Sequence, residues 1–146
     1  VVTARLFMVY GPGQQDTNKL IPHVTLSLLS KQPPKLSSGL RQVDWIYVQD
    51  VVDGLIAAAQ APNLEGHTVD LGSGTLVSIR TIVQQLADRI DSQVGLLWGS
   101  LPERPMEQTR VANIKKTYDS IGWKPQTPLT IGLQRTVDWY REQAAV

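Results

Sequence analysis

The residues whose type best suits chemistry are two histidines, a serine between glycines and an aspartate before a helix. His23 and His67 lie far apart with no ligand-spaced neighbour, so they do not indicate a metal site. Ser73 lacks the G-x-S-x-G pattern of a nucleophile elbow. Asp50 precedes an apolar helical pattern, and we interpret it as an N-cap worth about 1 kcal/mol. None of the four therefore predicts a catalytic group.

Charge and composition exclude several classes of partner. The 14 lysines and arginines nearly balance the 13 acidic residues, and there is no basic run of the kind that binds nucleic acid. The absence of cysteine excludes disulfides and thiolate-bound metals, and it is compatible with a cytoplasmic location. No apolar run approaches the roughly 18 residues of a membrane span. We therefore expect neither a membrane nor a nucleic acid as partner.

Apolar periodicity and turn residues predict alternating strands and helices, which favours an α/β fold. Strands are predicted over residues 1–10, 35–37, 43–48, 68–71 and 94–98. Helices are predicted over residues 19–30, 51–60, 79–90, 112–121 and 129–143. Ser78 would cap the third of these helices, and Gly122 would end the fourth.

Five short motifs, in order along the chain, resemble those of the extended short-chain dehydrogenases/reductases. These enzymes are NAD-dependent epimerases and dehydratases that act on nucleotide sugars. The motifs are RLFMVYGPGQ at 5–14, KLIP at 19–22, GLRQVDWIYVQDV at 39–51, VDLGSG at 69–74 and GWKP at 122–125. Each motif is weak alone, but five in order over nearly the whole chain indicate the family.

The resemblance implies the C-terminal part of a Rossmann-like doubly wound sheet with a small substrate-binding lobe. Residues 1–10 and 68–71 would be the last strands of that sheet, and residues 1–146 would form a single fragment. The intact parent would bind NAD or NADP and transiently oxidise a sugar hydroxyl. It would then epimerise, dehydrate or reduce the product, and the residues that decide between these reactions would lie upstream.

Two motifs that the family uses for its cofactor and its chemistry are not found in this sequence. No G-x-x-G-x-x-G follows a predicted strand, and no tyrosine has a lysine four positions later. The resemblance places both motifs, and the dimer-forming helices, before Val1. We therefore expect the NAD-binding segment to be absent, and this chain alone to hold no catalytic residue, cofactor or metal.

The resemblance also implies substrate-binding roles for seven residues. Arg41 lies two positions before Val43, where the family has a diphosphate-binding arginine, and on the same strand face if the segment is extended. Arg104, between two prolines, aligns with a second phosphate-binding arginine, and Arg110 is a weaker candidate. Ordinary surface or core roles remain the alternative for each. The other five implied residues are Met8, Lys19, Leu20, Lys35 and Ser37.

Three positions depart from the family pattern. Met8 replaces an asparagine that contacts substrate, Val43 replaces the arginine, and Asp70 replaces a second asparagine. A carboxylate beside a diphosphate would repel it. These changes put the substrate class in doubt and leave open an enzyme that acts on a non-nucleotide substrate.

Two further readings concern the state of the chain itself. It would be an inactive fragment, or one part of a split enzyme, that associates with a missing N-terminal part. Alternatively, it would be a free-standing binding or self-assembly module. A truncated parallel sheet exposes an apolar edge and face, so we expect a homo-oligomer in the second case.

Overall fold

The computed structural model describes residues 1–105 and 108–144, and these residues form an α/β structure. The strands are β1 (Thr3–Leu6), β2 (Met8–Tyr10), β3 (Gln42–Tyr47), β4 (Thr68–Leu71) and β5 (Leu76–Ser78). The helices are α1 (Leu20–Leu29), α2 (Val48–Gln60), α3 (Ile79–Ile90), α4 (Ile114–Ile121) and α5 (Leu129–Ala144). The predicted fold class is confirmed.

The first predicted strand is two strands that belong to different sheets. β1 pairs in parallel with β4, whereas β2 pairs in parallel with β3, which in turn pairs antiparallel with β5. Phe7 separates β1 from β2, and its amide N–H donates to the carbonyl of Leu71 at 3.3 Å. The chain therefore passes from one sheet to the next with its backbone still hydrogen-bonded.

Both faces of β3 are buried. Val43, Trp45 and Tyr47 point towards a core that includes residues of α1, α3 and α5. Ile46 points the other way, into a smaller cluster with Leu71 and residues of α2. Parallel strands covered on both faces are typical of α/β proteins.

Most predicted helices and the cap of α3 agree with the structure. The Ser78 hydroxyl accepts a hydrogen bond from the Thr81 amide at 3.1 Å, as an N-cap does. Gly122 ends α4 with φ +69°, a left-handed conformation that suits glycine. No helix within residues 1–105 and 108–144 is long and apolar enough to cross a membrane.

The predicted cap role of Asp50 is wrong. α2 begins at Val48, and the Asp50 carboxylate accepts from the amides of Gln126 and Thr127 at 3.2 and 3.0 Å. It also accepts from the Thr127 hydroxyl at 3.1 Å. Asp50 therefore fixes the segment before α5, some 76 residues away, a contact that a local pattern does not encode.

The strands predicted over residues 35–37 and 94–98 are also wrong. They are reduced to a single parallel bridge between Lys35 and Leu97. The three-residue β5 was not predicted, because it is too short for a period-2 pattern and runs directly into the cap of α3.

Asp44 joins three separate parts of the chain. Its buried carboxylate accepts from the Ser73 amide at 2.7 Å, the Ser73 hydroxyl at 2.8 Å and the Gly74 amide at 3.0 Å. It also accepts from the Ala112 amide at 2.9 Å. This carboxylate therefore ties β3 to the turn after β4 and to the segment before α4.

We predict that Asp44→Asn lowers the free energy of unfolding by about 3 kcal/mol, because an amide leaves buried N–H donors unpaired. Urea unfolding followed by circular dichroism measures this change. Asp119→Asn is the matched control, since Asp119 forms an exposed i,i+4 pair with Lys115 whose loss should cost under about 0.5 kcal/mol. Equal losses in the two variants would contradict the role given to Asp44.

Candidate functional site

A cavity of about 450 Å³ lies between α1, the 35–37 segment, the strands β2 and β3, and the loop 101–104. The seven residues with predicted substrate roles all line it, although they are spread from position 8 to position 104. They are Met8, Lys19, Leu20, Lys35, Ser37, Arg41 and Arg104. The fold therefore brings the whole predicted set together at one place, which we call the main cavity.

Four of these residues lie at, or directly before, the start of a helix or strand. Lys19 and Leu20 lie where α1 begins, and the Lys19 carbonyl accepts from the His23 amide at 2.9 Å. Met8 begins β2 opposite Trp45. Arg41 directly precedes β3 and, like Val43, lines the main cavity.

Lys35, Ser37 and Arg104 lie on two segments that hydrogen-bond to each other. The amide of Gly99 donates to the Ser37 carbonyl at 2.9 Å, and that of Leu101 donates to Leu36 at 3.0 Å. The Glu103 carboxylate accepts from the Ser38 amide at 2.8 Å. These bonds hold the loop that carries Arg104 against the segment that carries Lys35.

Arg80 also holds the segment that follows Ser37 in place. The Arg80 Nε donates to the Ser38 carbonyl at 2.6 Å, and its guanidinium lies 4.6 Å from the centre of the Trp98 ring. Gly39, with φ +73°, lies directly against Trp98 and Arg80, where a side chain would clash. A glycine is therefore required at this turn for both conformation and space.

Most of the charged side chains that line the main cavity are positive. Lys19, Lys35, Arg41 and Arg104 face two acidic residues, Asp16 and Glu103. Both acids already accept backbone hydrogen bonds, Asp16 from Asn18 at 3.0 Å and Glu103 from Ser38. The excess of positive charge suits an anionic ligand.

A second cavity of about 600 Å³ adjoins the first. Met8, Arg41 and Val43 line both cavities, so they form the junction between the two. Arg110, the weaker candidate, lies in the second cavity together with Arg5. Arg110 and Arg104 therefore line different cavities.

Asp70 does not line either cavity, so its predicted repulsion of a bound diphosphate is not supported. It lies in a different depression beside Arg5, whose guanidinium pairs with its Oδ1 at 2.6 Å. Its Oδ2 accepts from the Asn113 amide at 3.0 Å. Arg5 and Asp70 are direct partners in the β1–β4 register, which is the signal that could have indicated their pairing.

The glycine turns do not offer a site for a dinucleotide. The amides of Ser73 and Gly74 already donate to Asp44. α1 begins seven residues after Gly13, so its first turn does not open on the Gly11–Gly13 turn as a pyrophosphate site requires. The described residues thus do not fit the phosphate-binding turn of NAD-binding proteins.

Tyr10 and Tyr140 are poor acid/base groups. Burial, together with the nearby Asp50 carboxylate, raises the pKa of Tyr10 well above its ordinary value, and its hydroxyl packs against Gly132. Burial also raises the pKa of Tyr140, whose hydroxyl donates to the Gln14 carbonyl at 2.8 Å. Within the described part of the chain, no three His, Asp or Glu side chains could hold a metal ion.

Parallel strands joined through helices, with a cationic cavity beside them, define an α/β protein with a partial Rossmann-like sheet. Known proteins share this structure. The epimerase Mth375 from Methanothermobacter thermautotrophicus superposes with a TM-score of 0.90 at 26% identity, over 97% of this chain and 43% of its own. MoeE5, solved with UDP-glucuronic acid and NAD, gives 0.89 at 25% identity, over 98% and 48%.

Sequence comparisons agree with the structural ones. The profile of the NAD-dependent epimerase/dehydratase family matches residues 1–72. The dTDP-D-glucose 4,6-dehydratase of Mus musculus is 25% identical over 97% of this chain and 41% of its own length. These matches support a relationship to the extended short-chain dehydrogenases/reductases, and the chain spans about two fifths of the length of the curated relatives it matches.

We predict that Glu103→Gln loosens the wall formed by residues 35–39 and 101–104. The hydrogen bond from Ser38 lowers the pKa of the Glu103 carboxyl, so the folded state favours the charged acceptor. In the wild type this contribution is present above the ordinary carboxyl pKa of 4.5 and is lost as the pH falls through the lowered value.

Amide hydrogen exchange measures this effect as the protection factor of Ser38, corrected for intrinsic rates. Glu103→Gln should reduce that factor several-fold at pH 7, and in the wild type it should fall only in acid. Glu65→Gln, in the loop between α2 and β4, is the control and should leave Ser38 unchanged. Unaltered protection in Glu103→Gln would exclude the anchoring role.

Proposed function

We propose that this chain is the substrate-binding part of an NAD(P)-dependent sugar-nucleotide epimerase or dehydratase, and that the main cavity binds a nucleotide sugar. One observation carries the proposal: seven residues with implied substrate roles, from positions 8 to 104, line a single cationic cavity. The names of the relatives support it, since they include dTDP-glucose dehydratases and a protein bound to UDP-glucuronic acid.

In the proposed complex the two arginines bind the diphosphate. Arg41 and Arg104 present planar donors that pair bidentately with phosphate oxygens. Lys35 and Ser37 lie beside the base, Lys19 and Leu20 line the same pocket from α1, and Met8 faces the sugar. Because the Glu103 and Arg80 contacts fix this wall, the ligand would bind with little loss of loop entropy.

The chain on its own would bind no cofactor and would not turn over. The intact parent would use NAD or NADP for hydride transfer, but here the Ser73 and Gly74 amides are taken by Asp44. The role of this chain is therefore to hold and orient the sugar nucleotide. A cytoplasmic location is part of the proposal, because a chain without cysteine is compatible with a reducing compartment.

Calorimetric titration of the 146-residue chain with dTDP and with UDP tests nucleotide binding. Arg41→Ala or Arg104→Ala should lower the affinity for the nucleotide about ten- to a hundredfold, since a hydrogen bond to a charged group contributes about 1.5–3 kcal/mol. Arg135→Ala, an exposed arginine of α5, is the control and should bind like the wild type.

NAD is the second probe in the same experiment and should give no heat of binding. Tight binding of NAD would overturn the proposed division of roles. Wild-type affinity in both arginine variants, with thermal unfolding showing that they are folded, would remove the diphosphate assignment.

A second candidate function, self-association, is favoured by the outer face of α2. Val52, Leu55 and Ile56 are 41%, 44% and 52% exposed on the side of the helix opposite its buried residues. Leu6 on β1 is 50% exposed, and β1 has one strand neighbour among the described residues. Apolar surfaces of this kind drive association, either with a second copy or with a separate N-terminal part.

We predict that the chain elutes as an oligomer at micromolar concentration and that Leu55→Glu with Ile56→Glu shifts it towards monomer. Light scattering after gel filtration gives the mass directly. Ile131→Glu, at a comparably exposed position on α5, is the control and should retain the wild-type mass. A monomeric wild-type protein would rule out self-association.

A further inference from the structure

The second cavity has polar side chains that suit an anion. Arg5, Arg41 and Arg110 line it, and each carries a positive charge. Gln42 and Gln108 add amide groups, whose nitrogens can donate hydrogen bonds. Arginine presents planar N–H donors that match the oxygens of a carboxylate or a phosphate. The cavity is therefore rich in donors for an oxyanion.

Among the described residues that line this cavity, the acidic one is Asp44. Its carboxylate is buried and accepts hydrogen bonds from the amide and hydroxyl of Ser73 and from the amides of Gly74 and Ala112. These four bonds compensate the charge of the carboxylate. Asp44 therefore leaves the positive charge of the three arginines in excess.

Two buried carboxylates hold the chain on either side of the cavity. Asp70 accepts from the Arg5 Nε on its Oδ1 at 2.7 Å and from the Asn113 amide on its Oδ2 at 3.0 Å. Asp44 accepts from the amide of the preceding residue, Ala112, at 2.9 Å. Because Arg110 lies two residues before Ala112, these bonds hold its segment beside β1, which carries Arg5.

Both arginines keep donors that these contacts do not use. An arginine has five N–H donors, and the ion pair with Asp70 uses the Nε and Nη2 groups of Arg5. The Arg5 side chain is still 59% exposed. Arg110 donates from Nη2 to the Gln108 Oε1 at 3.3 Å. That bond uses the acceptor of the Gln108 amide, whose nitrogen can donate to the same ligand.

We propose that the second cavity is an anion site of its own, in which Arg110, Arg5 and Gln108 bind a carboxylate or phosphate group. It differs from the diphosphate site proposed for the main cavity, because Arg104 lines the main cavity and not the second. The two cavities meet at Arg41, so two sources supply the same chemistry. One is an acidic sugar of a nucleotide sugar that extends from the main cavity, and the other is a separate small anion.

Chemical modification of arginine tests the site directly. Phenylglyoxal reacts with accessible guanidinium groups, and mass spectrometry of peptides gives the rate at each arginine. Inorganic phosphate at about 10 mM should slow the reaction of Arg110 several-fold, since two charge-assisted hydrogen bonds correspond to a dissociation constant on the order of 1 mM. Arg135, which is exposed on α5, is the internal control and should react at an unchanged rate at constant ionic strength.

Two glutamine variants separate the second cavity from the main cavity. In Arg104→Gln, phosphate should still protect Arg110. In Arg110→Gln, phosphate should no longer protect Arg5, whereas Arg104 should stay protected. Arg110 is exposed, so the variant should fold, and thermal unfolding checks this.

Calorimetry with a matched ligand pair identifies the source of the anion. UDP-glucuronic acid carries a carboxylate that UDP-glucose lacks, and the corresponding dTDP sugars cover a thymidine-specific site. If the sugar supplies the anion, the acidic ligand should bind about tenfold more tightly, and Arg110→Gln should remove the difference. If a small anion is the ligand, the two sugars should bind equally, and phosphate should protect Arg110 while UDP-glucose is bound.

The outcomes also separate this site from the proposed function. The anion site is refuted if neither phosphate nor UDP-glucuronic acid slows the modification of Arg110, or if the protection of Arg110 is lost in Arg104→Gln. If phosphate protects Arg110 but no nucleotide or nucleotide sugar gives a heat of binding, the proposed function fails and the anion site stands.

Discussion

One carboxylate, that of Asp44, links the two sheets of this chain. A buried charge is costly unless its hydrogen bonds are satisfied, and Asp44 satisfies four of them with donors from two distant segments. β3 carries Asp44 on one face and Val43 and Trp45 on the other. The bonds made on the first face therefore fix the position of the cavity wall on the second.

Local patterns were sufficient for the elements with a strong period. α3 and α5 bury Ile82, Leu86, Leu133 and Val137 at helical spacing, and β4 is bounded by a turn, so each was predicted to within a residue or two. Local patterns failed where a distant partner decides the structure. Asp50 has the sequence position of a cap, but the amides of residues 126 and 127 bind it instead.

The candidate site shows the same division. The resemblance to a family pointed to Arg41 and Arg104, because their positions follow from motif order. It did not point to Glu103 or Arg80, whose partner Ser38 lies 65 and 42 residues away in sequence. The fold brings Glu103 and Arg80 against the segment that carries candidate binding residues. A single sequence carries no periodic signal for such distant pairs.

The extended segment from Thr3 to Tyr10 borders the main cavity at one end, and at the other end it forms β1, which has one strand neighbour among the described residues. Only Phe7 separates the two parts, and it remains hydrogen-bonded. If a strand docked on β1 changed the affinity of the main cavity for its ligand, the ligand would have to change the affinity of that strand by the same factor.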